Sequence, residues 1–394
     1  MDLDGLRGRR VGLLASGGLS STAVAAWLAE NGVDVVAYVA DLGQTVPLPA
    51  AELAAELERR GLKAQTVDLR AEMAEMGLDL VRYRAMYEGG YWNTTGASRA
   101  VLVGGLAEAL RTDGCQVLAH GCVGGGNDQM RFFRYTARLA PDLEVFTPWT
   151  QPELLRRFPN RTSMSEYLIE RDYPESLTNW ATYSVDGSLA GFSHESDELE
   201  SLETPPMVVS PILTACPQDA QSDPEILTVR FVDGRPVEVD GAPVTPLEAV
   251  QRANEAGGRH GVSLKAVVEN RVNGTKCRGV YEAPGLEVLG VCMEALYQAG
   301  LDKYGAALMR SLSANLGTAI YEGGFHCPSG RAAAAGADVL TRGLDGTVEV
   351  ELYKGNVTVR RMLDLADAPG TVRQTRFTHG GHHWQIEPGR RLTA

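Results

Sequence analysis

The stretch Val11-Gly-Leu-Leu-Ala15, Ser16-Gly-Gly-Leu-Ser20, Ser21-Thr22 decides the fold. Its first five residues form a short apolar run, a buried strand by length and composition. A helix is predicted from about Ser20 through Ala26, Trp27 and Leu28, stopping at Asn31-Gly32. A strand, a glycine turn and a helix in that order present successive backbone N–H groups at a helix N-terminus, a geometry that binds anions. Gly17 and Gly18 permit close backbone approach. The GxxxxGK[ST] pattern is absent, so the loop is not a P-loop. Taken alone, it reads equally as an ordinary strand–helix turn capped by serine.

Alternation continues outward. Val33 to Ala40 reads as a strand and Ala50 to Arg60 as a helix closed by Gly61. Lys63 to Leu69 is a third strand, Val101 to Leu110 a helix, and Cys115 to Ala119 a fourth strand. Such a βαβ series predicts a parallel sheet covered on both faces, with ligands bound beyond the carboxyl ends of its strands. Two glycine-rich loops fall there, Ser16 to Thr22 and His120 to Asp128.

The second half differs. Residues 196 to 224 are rich in Pro, Glu, Asp and Ser and read as a loop. Asp233-Gly234 separates Ile226–Val232 from Arg235–Val239, a hairpin signal, and Lys354-Gly-Asn356 separates Thr347–Tyr353 from Val357–Arg360. Helices are predicted around Pro246–Ala256 and Leu286–Ala314. The expected class is α/β: a parallel-sheet domain over residues 1-170, a second domain of α+β composition over 171-363, and a tail over 364-394.

The chain has 394 residues, 44% apolar and 22% charged, enough for a sizeable core. Lys and Arg number 37 against 50 Asp and Glu, a formal charge of -13 that disfavours phosphate-backbone and anionic-membrane partners. Its six cysteines form no CxxC pair, so no disulfide framework is expected. Arg7 to Arg10 and the apolar stretch after them imitate a signal peptide, but Gly17, Gly18 and three serines break it, and Asp2 and Asp4 precede it. A cytoplasmic location is expected, with no nucleic acid and no membrane among its partners.

Ala119-His-Gly-Cys-Val-Gly-Gly-Gly-Asn-Asp-Gln-Met-Arg-Phe132 sets three consecutive glycines beside Asn127, Asp128, Gln129 and Arg131. So dense a polar cluster after a buried strand points to a site. The stretch resembles the signature of the argininosuccinate synthase family, and Ser16–Thr22 resembles that family's SGGLDTS pyrophosphate loop. The resemblance continues through Ala40–Gln44, Pro148-Trp149, Tyr183–Asp186, His260-Gly261, Val268–Arg271, Lys276–Pro284, Gly346-Thr-Val and Leu352–Asn356.

The resemblance implies an ATP-dependent carbon–nitrogen ligase, with a nucleotide-binding domain of the N-type ATP pyrophosphatase kind over 1-170 and an α+β synthetase domain for substrate and oligomerisation over 171-363. The family uses ATP and Mg²⁺ to adenylate the ureido oxygen of citrulline, releasing pyrophosphate. The amine of aspartate then displaces AMP. By resemblance, Ser16, Gly17, Gly18, Ser20, Ser21 and Thr22 hold phosphates, Ala15 and Ala40 line the adenine and ribose side, and Gly121 belongs to the second nucleotide loop. Tyr91, Asn127, Arg131, Ser184, Ser193, Glu269 and Tyr281 match citrulline positions, and Thr95, Asn127 and Asp128 the aspartate side. Asn127, Asp128 and Arg131 are the residues assigned to catalysis. Glu269 and Asp128 suit substrate ammonium groups, and Arg131 suits a bidentate grip on a carboxylate. No residue is assigned to a metal, and the oligomer implied is a homotetramer.

The sequence departs from the family at Ser20 (a loop Asp), Val123 (a Thr that holds a carboxylate of aspartate), Gly125 (a Lys) and Gly96 (a Ser). Ser263-Leu264 replaces Gly-Arg, and Ala266 an Asp. Losing a donor to a buried carboxylate costs about 1.5–3 kcal/mol, so altered specificity is one expectation and compensated drift the other. Ser20 and Gly125 motivate an alternative, a non-catalytic nucleotide or amino-acid-binding homologue. A third reading, a sulfur-transfer or tRNA-modifying member of the superfamily, conflicts with the acidic charge and scattered cysteines. Cys122 stands in the glycine loop without an assignable base, and Trp92 reads equally as site aromatic or core. His379, His382 and His383 read as a tail without ligand spacing.

Overall fold

The computed structural model describes residues 2–44, 48–178 and 184–366. The first unit runs β1 (Arg10–Leu14), α1 (Leu19–Glu30), β2 (Asp34–Asp41), α2 (Ala50–Glu58), β3 (Lys63–Asp68), α3 (Arg70–Tyr83), α4 (Thr94–Thr112), β4 (Val117–His120), α5 (Asn127–Leu139) and β5 (Glu144–Phe146). Three short helices, α6 (Pro152–Arg157), α7 (Arg161–Ile169) and α8 (Glu175–Thr178), close it. Its five strands are all parallel in the order β3-β2-β1-β4-β5. Both faces are buried: Val35, Ala37 and Val39 of β2 pack under α1 and α2, while Val36, Tyr38 and Ala40 pack against α3 and α4. The strand order reverses between β1 and β4, which places the ligand crevice at their carboxyl ends.

The rest runs β6 (Ser184–Ser188), β7 (Gly191–Glu195), α9 (Asp197–Glu200), β8 (Glu225–Val232), β9 (Arg235–Val239), β10 (Ala242–Pro243), α10 (Pro246–Arg259), β11 (Leu264–Asn270) and β12 (Lys276–Glu282). It ends with α11 (Pro284–Gly300), α12 (Lys303–Tyr321), α13 (Pro328–Thr341), β13 (Gly346–Tyr353) and β14 (Asn356–Leu363). These strands make two further sheets, β10-β9-β8-β13-β14 and β11-β12-β7-β6. Both expected hairpins form. One continuous core joins α3 and α4 of the first unit to α10, α11, β8 and β13 of the second.

Several elements differ from expectation, among them α5, α13 and the strands of the β11-β12-β7-β6 sheet, for which no element is predicted. Residues 70–83 form a helix where none is predicted. The helix expected over 286–314 is two, divided at Leu301-Asp302, where the Asp302 carboxylate caps α12 by accepting from Gly305 N at 2.6 Å. The 196–224 loop contains one short α-helix, α9. Further along, the loop is fastened by the buried Glu282 carboxylate. It accepts the N–H groups of Ile212, Leu213 and Thr214 at 2.8–2.9 Å and pairs with His194 at 2.6 Å. The three tail histidines lie outside the described residues.

Candidate active site

The first loop turns at Gly17, whose φ of 76° lies in the left-handed region that suits glycine. Ser21 and Thr22 both donate their hydroxyls to the Gly18 carbonyl at 3.0 Å, and Ser16 and Ser21 share a hydrogen bond of 3.0 Å. The hydroxyls of Ser21 and Thr22 therefore brace the turn. The N–H groups of the first turn of α1 have no carbonyl behind them and face outward from the helix start, as an anion cradle requires. Gly121, just past β4, lies against that start: a Cβ there would stand 2.5 Å from Ser21 Cα and 2.9 Å from Ser21 N. The second loop thus presses directly on the first. Ala15 follows β1, and Ala40 lies near the end of β2 beside it, both buried on the same sheet edge. His120, the last residue of β4, stacks on Phe132 and leaves its buried Nε2 without a partner. Burial depresses its pKa to about 4, so the ring is neutral.

The sheet β11-β12-β7-β6 supplies the opposite wall. Residues directly opposite in an antiparallel pair share a face, as do residues two apart on a strand. Ser184 pairs with Glu195, Asp186 with Ser193, Ser193 with Tyr281, and Glu269 with Cys277. One face therefore carries Ser184, Asp186, Ser193, Glu195, Cys277, Tyr281 and Glu269. The other face carries His194 and Glu282, whose pairing is structural.

Helices deliver the remaining groups onto this face. Tyr91 stacks on Tyr281 with ring centroids 4.0 Å apart and accepts from Thr95 N at 3.0 Å. Thr95 and Ser193 share a hydroxyl contact of 3.2 Å, which ties α4 to β7. Asn127 donates to the Tyr321 hydroxyl at 2.8 Å, and that hydroxyl donates to Glu269 Oε1 at 2.7 Å. The second Glu269 oxygen is buried and meets no donor in hydrogen-bond geometry, although Tyr281 lies close enough to favour the carboxylate. Burial nevertheless raises the Glu269 pKa, against the opposing pull of Tyr321 and Arg131.

Asp128 is held between two buried guanidiniums. Arg131 Nη1 reaches its Oδ1 at 2.9 Å, and Arg99 Nη2 reaches its Oδ2 at 2.8 Å. Burial opposes its charge, but the two arginines overcome that and keep the carboxyl well below the usual range. Arg99 also bonds Asp186 at 2.8 Å and so joins the two units across the site.

Several expected roles change with this geometry. Arg131 gives Nε to the Tyr321 carbonyl at 2.6 Å and Nη1 to Asp128, so two of its three nitrogens are engaged within the protein. Trp92 is core, buried and donating to Glu287 at 2.7 Å. The Cys122 thiol is pushed far up, first by burial and then by Asp128, which makes it a poor nucleophile. Gly96 is a packing residue: a Cβ there would stand 2.7 Å from the Ile320 carbonyl. Tyr183 falls outside the described residues. Arg99, Glu195 and Tyr321 also lie here and carry no sequence signal of their own, except that Glu195 stands two residues beyond Ser193; Asp186 closes the Tyr183–Asp186 stretch of the resemblance, which assigns it no role.

Among the described residues no group of three or more His, Cys, Asp or Glu has metal-binding geometry, and no helix is long and apolar enough to cross a membrane. All six cysteines are free.

Two family models cover the chain. The N-terminal HUP domain of argininosuccinate synthase matches residues 10–169, and the C-terminal domain of the same family matches residues 183–363. Argininosuccinate synthase of Idiomarina loihiensis is 36% identical over 353 residues, covering 89% of this chain and 86% of that protein. The proteins of that name from Desulfitobacterium hafniense and Thermotoga maritima are 34% and 36% identical over 354 residues, covering 87% and 86% of their own lengths.

Proposed function

We propose a reaction from a premise now established: the chain belongs to the argininosuccinate synthase family. It is an ATP-dependent ligase that forms carbon–nitrogen bonds and yields AMP and pyrophosphate. Its acceptor is citrulline or a close ureido relative, and its second substrate is the amine of aspartate or a related amino compound. The observation that carries the reading is the junction of the two loops. Gly121 lies against the start of α1 where free N–H groups gather, and the hydroxyl-bearing, carboxylate-bearing sheet face stands opposite.

The residues divide the work. The first-turn N–H groups of α1 with Ser16 and Ser20 receive phosphate oxygens, while Ser21 and Thr22 hold the turn. Adenylation converts a poor leaving oxygen into AMP. Glu269 presents its free oxygen to an ammonium group of the ureido substrate, and Tyr91, Tyr281, Ser184 and Ser193 shape its pocket. Asn127, with its side-chain oxygen accepting from Val272 N at 2.9 Å and its nitrogen on Tyr321, fixes the joint between the amine and ureido sides. The phosphate loop contributes hydroxyls and no carboxylate. That donor set would suit Mg²⁺ carried on the nucleotide, where Ser20 would help to hold it and the ion would offset the charge of the phosphates. The division at 1-170, 171-363 and 364-394, a homotetramer and a cytoplasmic location complete the proposal.

The test is pyrophosphate release with ATP, Mg²⁺ and citrulline, with and without aspartate, followed by product mass. Citrulline-dependent release and a product joining citrulline to the amine are expected. Nucleotide binding with no release on any pairing of ureido compound and amine would sink the ligase reading.

A further inference from the structure

An amine that displaces AMP must first shed a proton, because an ammonium nitrogen has no lone pair to attack with. The site face carries four carboxylates, and three are committed. Asp128 is clamped by Arg99 and Arg131, Asp186 is bound to Arg99, and Glu269 accepts from Tyr321 and Cys277. Glu195 has no ion pair or hydrogen bond to its carboxylate among the described residues. It ends β7, on the same face as Ser193 and directly opposite Ser184, and its side chain is exposed. We infer that Glu195 is the general base that deprotonates the attacking amine in the second half-reaction. This rests on the ligase reading given above.

The surroundings support that role. Asp186 on β6, Asp128 and Arg131 on α5, and Glu269 on β11 all act on Glu195 electrostatically. Arg99 on α4 is spent on two of those carboxylates, Arg271 pairs with Glu200, and Tyr281 and Cys277 on β12 stay neutral because burial raises both. Although solvent reaches the side chain, crowding by protein and then by the three carboxylates lifts the Glu195 pKa to about 7, against the pull of Arg131. A base works best near the operating pH. Asp128, held ionised by two arginines, is by comparison a weak proton acceptor.

The step balances as follows. Glu195 takes one proton from the ammonium, leaving a neutral amine. The amine lone pair forms the new bond to the ureido carbon, and the carbon–oxygen bond to AMP breaks with its electron pair leaving on oxygen. A second proton from the attacking nitrogen passes to the departing AMP phosphate, and Glu195 returns its proton to solvent. The product is a substituted guanidinium.

The experiment separates the half-reactions by rapid quench in wild type, Glu195→Gln and Glu195→Asp. Pyrophosphate formation with ATP and citrulline in Glu195→Gln is expected to stay within about threefold of wild type, while amine transfer falls about 10²–10⁴-fold. In wild type, kcat/KM for the amine rises with pH to a plateau through an apparent pKa near 7. That limb is lost in Glu195→Gln and kept in Glu195→Asp. Hydroxylamine, already neutral near pH 7, should react at similar rates in wild type and Glu195→Gln. Equal transfer rates and pH profiles in wild type and Glu195→Gln would overturn the assignment. So would equal loss of adenylation and transfer, which marks a binding or folding role. A wild-type enzyme that forms no coupled product would overturn the ligase reading first and this role with it.

Discussion

Replacing Tyr321 by Phe removes one oxygen and tests how the ureido side is held. That hydroxyl accepts from Asn127 at 2.8 Å and donates to Glu269 at 2.7 Å, while the ring stacks on Tyr87 with centroids 3.8 Å apart and lies under Arg131. Phe keeps the stack and the cation–π contact, so the loss is confined to two hydrogen bonds. A neutral one contributes about 0.5–1.5 kcal/mol and one to a carboxylate about 1.5–3 kcal/mol. Together the variant should lose about 2–4.5 kcal/mol, shared between folding stability and substrate binding. At about 1.4 kcal/mol per tenfold, KM for the ureido substrate should rise at least tenfold, with a smaller change in KM for ATP. The sign of the pH effect follows from Glu269. Burial raises its pKa and the Tyr321 donor lowers it, so removing the donor raises it further. An ionised Glu269 is needed to hold an ammonium group, so the affinity of Tyr321→Phe should fall faster than wild type as pH drops below neutral. Steady-state kinetics over a pH series, with thermal unfolding of both proteins, measures this. Unchanged ureido KM and an identical pH dependence would refute the argument.

Two other substitutions probe backbone contacts. In Gly121→Ala the new Cβ meets the backbone of Ser21 at 2.5 Å, so α1 or the second loop must shift, at a cost of about 1–3 kcal/mol; calorimetric titration should show ATP affinity reduced roughly 10–100-fold by the same conversion, and wild-type affinity would show that the loops do not jointly form the nucleotide site. Gly96→Ser restores the residue expected from the family resemblance, yet its Cβ meets the Ile320 carbonyl at 2.7 Å. It should destabilise the fold by about 1–3 kcal/mol in thermal or denaturant unfolding without improving ureido KM, and a stable variant with improved KM would restore position 96 to the substrate pocket.

The nucleotide half was legible because its signals are local. A five-residue apolar run, a glycine turn and a helix lie next to one another in sequence, and chain order sets the parallel sheet. The helix at 70–83 was not legible because Gly77 interrupts it. That glycine is accommodated by tertiary packing, close to Leu286 and Ala190 from distant segments. The break at 301–302 was readable in principle, since Gly300 precedes Asp302 and a glycine stop followed by an Asp cap is a boundary signal; the apolar periodicity across it obscured the boundary. Arg99, Glu195 and Tyr321 acquire meaning only through register and packing. Arg99 meets Asp186 across 87 residues, and Tyr321 meets Asn127 across 194.

The same geometry bears on which amine the enzyme takes. Of the departures from the family pattern, Gly96 answers to packing, and Gly125 adopts a φ of 75° in open space, a conformation strained for lysine. Val123 is different: it is 61% exposed on the loop between β4 and α5 and presents methyl groups where a hydroxyl would donate to a carboxylate. The nearby cations do not compensate, because Arg99 and Arg131 are both committed to Asp128, and Arg99 also to Asp186. Asp128 and Asp186 thus balance the two guanidiniums, and Glu195 and Glu269, whose pKa values are both raised, add negative charge only as they ionise. Negative charge repels a second carboxylate and attracts an ammonium group. The expected outcome with ATP, Mg²⁺ and citrulline is a higher kcat/KM for amino compounds with fewer carboxylates than for aspartate, and a clear preference for aspartate would refute this reasoning.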